Sequence, residues 1–74
     1  MSAPPDFARS LGEARRLLAA DSAGEAANLL RALAARRPAD AEIWQVLADC
    51  HKVLGDQAAE LDACERALAI EPVL

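Results

Sequence analysis

Apolar residues along this chain recur at three- and four-residue steps and nowhere in strict alternation, a pattern that predicts amphipathic helices and no strands. The first periodic set is Phe7, Leu11, Ala14, Leu17 and Leu18. It follows a lead-in, Ser2-Ala3-Pro4-Pro5-Asp6, whose prolines suit a helix's first turn but not its interior, and it should end near Ala20. The second set is Ala26, Leu29, Leu30 and Leu33, with Arg36 and Arg37 facing the negative end of the helix dipole before Pro38 stops it. Ser22 and Glu25 have the spacing of a capping box ahead of that helix. Asp40 suits the N-cap of a third helix carrying Ile43, Trp44, Leu47, Cys50 and Leu54, which Gly55 closes as a left-handed residue. Asp56 can cap a fourth, through Ala59, Ala63, Cys64, Ala67, Leu68 and Ile70 to Pro72. Connections this short leave consecutive helices antiparallel, so the expectation is an all-α fold of two stacked antiparallel helical hairpins.

The chain matches itself best at an offset of 34 residues, which places Ala14 on Ala48, Asp21 on Gly55, Leu30 on Cys64, Leu33 on Ala67, Ala34 on Leu68 and Pro38 on Pro72. A helix-turn-helix unit with this period marks a helical repeat array, in which no unit buries its own apolar face completely. The period divides the chain into a lead-in (1–5), a first unit (6–38), a second unit (39–72) and a tail (73–74) where a third unit would begin. Ala14, Ala26, Ala48 and Ala67 are expected at close approaches between helices, with Trp44, Leu47 and Leu68 filling the space between pairs. On that reading Leu68→Asp abolishes folding.

The segment from Ala41 to Pro72 offers Trp44, Leu47, Ala48, His51, Leu54-Gly55, Ala67 and Pro72 in the order of one family pattern, and it resembles a tetratricopeptide repeat. It departs from that pattern at His51, Glu60 and Cys64, where the family has a tyrosine, a small residue and a large aromatic. The first copy resembles it through Ala14, Leu17, Ala26, Leu30 and Pro38, with Ser10 and Glu13 in place of tryptophan and leucine. The resemblance implies a right-handed solenoid segment whose first helices line a concave groove for an extended peptide or a helix. It places Ala8, Leu11, Gly12, Arg15, Leu18 and Ala19 on that groove from the first unit, and Glu42, Gln45, Val46, Asp49 and Lys52 from the second. Members that clamp a terminal carboxylate use lysines where Leu11 and Gln45 stand here, and Asp49 would repel such a ligand.

Composition narrows the function classes. Alanine supplies 19 of the 74 residues, and the aromatic residues are Phe7 and Trp44, so the 54% hydrophobic share is a helix composition with a modest core. A chain of this length buries only roughly 60% of its unfolded surface, too little for the deep cleft of most enzymes. Twelve acidic against eight basic residues argue against duplex nucleic acid or an anionic membrane as partner. The charge is split, with net +2 over Met1 to Pro38 and net −6 over Ala39 to Leu74. No apolar run approaches the roughly 18–20 residues of a membrane span, and the start lacks a leader pattern, which suggests a cytoplasmic chain with two buried, reduced thiols, Cys50 and Cys64.

The candidate chemistry is thin. Cys50 and His51 point about 100° apart on one helix, and with Cys64 they lack a fourth ligand for zinc or an orienting group for a nucleophile. Asp56, Glu60, Asp62 and Glu65 read as a solvated face, and Gly12, Gly24 and Gly55 are too isolated for a phosphate loop. No catalytic residue, metal or cofactor is expected. The expected function is a protein-interaction or oligomerisation module, with Leu11, Arg15, Leu18, Glu42, Gln45, Asp49 and Lys52 as groove residues and a protein or peptide as partner. Two units without a cap leave an open end, to be covered by a further segment of a longer protein or by a second copy; the split charge favours contact between unlike halves. The alternative is a non-catalytic N-terminal arm of a larger enzyme or regulatory protein.

Overall fold

A computed structural model describes residues 6–72, so the lead-in 1–5 and the tail 73–74 lie outside the described residues. It contains four helices of 14 residues each, α1 (Asp6–Ala19), α2 (Ala23–Arg36), α3 (Ala41–Leu54) and α4 (Gln57–Ile70), and no strand among the described residues. α1 packs on α2, α3 on both α2 and α4, and α1 touches α3 lightly. Two side-chain stacks mark the antiparallel sense of each hairpin. Arg37, just past the end of α2, sits over the Phe7 ring at the start of α1, and Arg66, late in α4, sits over the Trp44 ring early in α3.

The turns follow from individual residues. α3 starts at Asp40, whose carboxylate accepts the Glu42 amide at 3.0 Å, and α4 at Asp56, which accepts the Ala59 amide at 3.1 Å. Gly55 closes α3 with φ 80°, and the Asp56 amide reaches back to the His51 carbonyl at 2.9 Å. The α1–α2 turn has the same shape without a glycine. Asp21 takes φ 68°, and the Ser22 amide reaches the Leu17 carbonyl at 2.8 Å. The capping box expected at Ser22 and Glu25 does not form: Ser22 precedes α2 with ψ 52° and its side chain makes no capping hydrogen bond. Asp56 closes α3 through the same backbone contact and still caps α4, but at ψ 86°, so the difference lies in the Ser22 backbone torsion.

The core lies among α1, α2 and α3. Leu30, Ile43 and Cys50 are fully buried, and Ala14 and Ala26 have no exposed surface, which is what lets helix backbones approach closely. The fourth helix differs, for it buries only Ala63 and Ala67. Three sequence expectations are corrected here. Leu68 is 50% exposed and fills no space between pairs, Leu54 is equally exposed at the end of α3, and Cys64 is an exposed thiol while Cys50 is a buried one. The reason for Cys64 and Leu68 is shared: both flank the buried strip of Ala63 and Ala67, at the rim of α4's contact with α3, where none of the described helices covers them.

Candidate functional site

Three surfaces carry the side chains available for recognition. The first is the row formed by α1 and α3. Its apolar members are drawn inward, with Leu11 and Val46 buried in the core and Leu18 half-buried. Arg15, Glu42, Gln45, Asp49 and Lys52 remain exposed, as do Ala8 and Ala19 at the α1 ends of the row, while Gly12 is half-buried. Arg15 and Glu42 come together across the helices as an ion pair, so each spends its charge on the other. What remains is a polar strip with little apolar area for an extended peptide.

The second surface is an open cleft of about 550 Å³ between α2 and α4, floored by Trp44, Leu47 and His51 of α3. Trp44 Nε1 donates to the Pro38 carbonyl at 2.9 Å, and Arg66 bonds Asp62 at 2.9 Å while covering the indole. His51 is 7% exposed, and its Nδ1 has no hydrogen-bond partner. The sequence marks Trp44 as a spacer and His51 only as a departure from the repeat pattern; the cleft depends on the separation of α2 from α4, which helix periodicity does not encode.

The third surface is the free side of α4. Gln57, Leu61, Cys64 and Leu68 form one arc at positions i, i+4, i+7 and i+11, all exposed, with Leu61 at 61%. Beside them, Gln45, Ala48 and Asp49 of α3 and Ala67 and Leu68 of α4 bound a groove of about 320 Å³. The residues 34 earlier on α2 are Ala23, Ala27, Leu30 and Ala34, and all four are buried. α2 has helices on two sides, α1 and α3, whereas α4 has one, α3. The extra buried arc of α2 is the side that α3 covers.

The other end of the stack lacks a matching face. The α3 residues buried on this side, Ile43, Val46, Leu47 and Cys50, correspond to Arg9, Gly12, Glu13 and Arg16 of α1. None of these is buried, and Glu13 pairs with Arg16.

The structure does not assemble Cys50, His51 and Cys64 into one centre, since Cys50 is in the core and Cys64 is on the free face of α4. Burial, reinforced by the nearby Asp49 carboxylate, pushes the Cys50 thiol above its ordinary pKa, which disfavours the thiolate a nucleophile needs. Among the described residues no group of three or more histidine, cysteine or acidic side chains is placed to hold a metal ion. Asp56, Asp62 and Glu65 are exposed and Glu60 is half-buried, with Asp56 used as a cap. Among the described residues, no helix is long and apolar enough to cross a membrane. No family model, curated protein or solved structure matches the chain.

Proposed function

We propose that this chain is a tetratricopeptide-like interaction module that works by burying an apolar helical face against a partner protein, without covalent chemistry. The observation that carries this reading is the arc of α4: Leu61 and Leu68 stand 61% and 50% exposed where the matching positions of α2 are buried. Covering a leucine that is already held on a rigid helix gains roughly 1.5–3 kcal/mol at most, with little further ordering of that side chain. Two such residues on one arc, with Leu68 at the edge of a small groove, form a compact anchor of the kind helices dock onto.

This reading shifts the recognition surface from the concave row to the free side of α4. The row's apolar side chains, Leu11 and Val46, are already used by the core. The experiment compares capture of a partner from native lysate by the parent chain, by Leu61→Asp with Leu68→Asp, and by Arg15→Glu with Gln45→Ala. The reading requires capture to be lost with the leucine variants while helicity is retained, and to survive the row variants. Capture that ignores both leucines contradicts it.

A further inference from the structure

The first hairpin already receives a helix, and that contact defines what would fit the second. α3 packs along α2, whose arc of Ala23, Ala27, Leu30 and Ala34 shares one core with Ile43, Val46, Leu47 and Cys50. At the edge of this contact Glu42, the residue immediately before Ile43, accepts a hydrogen bond from Arg15 of α1. Moving 34 residues along, the receiving arc becomes Gln57, Leu61, Cys64 and Leu68, and the rim position of Arg15 becomes Asp49. Asp49 is exposed and lines the groove beside Cys64 and Leu68. The receiving arc stays apolar at three of its four positions while its rim changes sign. Glu65, in the place of Arg31, reverses charge in the same direction.

We infer that the open face of α3 and α4 binds an amphipathic helix whose apolar residues fall at i, i+3, i+4 and i+7, with a lysine or arginine immediately before the first of them to pair with Asp49. The inference rests on the reading of the chain as an interaction module and specifies the partner's sequence pattern. A second copy is a poor occupant. Docking α1 would bury Arg9, Glu13 and Arg16 where the first hairpin receives Ile43, Leu47 and Cys50. The matching stripe of α3 is already in the core, and two open faces brought together would oppose Asp49 and Glu65 to their own like charges.

The test uses α3 as its probe. A peptide of residues 40–54, with Cys50→Ala and held helical by a staple across its positions 45 and 49, is made in two forms, with the native glutamate at position 42 and with Glu42→Lys. Exposed Cys64 in the receiving arc reports occupancy through protection from alkylation in the whole chain. At low salt the lysine peptide is expected to protect Cys64 at about two- to fivefold lower concentration than the glutamate peptide, the ratio of one exposed ion pair. Asp49→Arg inverts that preference. Asp62→Arg, which makes the same change in net charge on the side facing α2, leaves it intact.

Equal protection by both peptides on the parent chain and on Asp49→Arg overturns the inferred register while leaving helix binding at this face standing. An inversion caused equally by Asp62→Arg overturns it as well, since general attraction then accounts for the preference. Absence of protection by either peptide on any of the three proteins overturns the inference together with the reading beneath it.

Discussion

α2 and α4 are the second helices of their hairpins, equal in length and 34 residues apart, yet α2 buries six residues and α4 two. Their sequences explain the gap only in part, through Gln57 and Glu60 standing where α2 buries Ala23 and Ala26. α4 carries Leu61 and Leu68 where α2 carries the smaller Ala27 and Ala34, so the helix with the larger apolar side chains on this arc is the less buried one. The difference is the number of neighbours: α3 covers one side of α2, and none of the described helices covers the matching side of α4. In a stacked fold, burial belongs to the pair of helices and not to the helix.

The strongest way to break this comparison is to cut one residue on each of the two matching arcs. Leu30→Ala removes a fully buried side chain and is expected to cost about 2–5 kcal/mol, enough to unfold much of a domain this small. Leu68→Asp, 34 residues from Ala34, should stay within about 0.5 kcal/mol of the parent, because its side chain is half in water already. Urea titrations followed by circular dichroism measure both, and equal losses would mean that α4 is covered after all.

The caps come next in size. Asp40→Ala and Asp56→Ala each remove a carboxylate that accepts a helix amide, and each should cost about 1 kcal/mol, while Ser22→Ala, with no capping bond to lose, should cost far less. The two cysteines sharpen the same contrast chemically. Cys64 should react with a thiol reagent in the folded chain and Cys50 only on opening. Burial holds the Cys50 proton in the folded state more firmly than in the unfolded chain. Stability is therefore undiminished below the ordinary thiol pKa of about 9 and declines as pH rises from there toward the raised folded value. Cys50→Ala should remove that decline, which unfolding midpoints taken across this range would show. The smallest effect concerns the turns: Asp21→Gly gives the first the residue already used at Gly55 and should raise stability by up to about 1 kcal/mol, read as a shift in midpoint.

Much of the fold was legible in the sequence because its signals act within one turn of helix. Pro38, Asp40, Gly55 and Asp56 each impose a local geometry, and helix boundaries fall beside them. Ser22 and Glu25 have the spacing of a capping box, but Ser22 sits at ψ 52° where the capping Asp56 sits at ψ 86°, a torsion that residue spacing does not specify. The candidate site was less legible for a related reason. Periodicity identifies Leu11, Val46, Cys64 and Leu68 as apolar but not which neighbour each meets; the repeat resemblance puts Leu11 on a groove, and the repeat register puts Leu68 between the pairs. The structure exchanges the two. Asp49's place on the rim follows from the meeting of Arg15 with Glu42 one unit earlier, a contact between helices that the local sequence does not specify.

Residue-resolved hydrogen exchange tests the central claim most directly, since amide protection reports how firmly each helix is held by its neighbours. With a single packed side, α4 is expected to exchange through local opening, faster than α2 and α3, and to show the same rates in dilute and concentrated samples. Protection of α4 equal to that of α2 at every concentration would contradict the account, because it would mean that the face of Leu61, Cys64 and Leu68 is already covered.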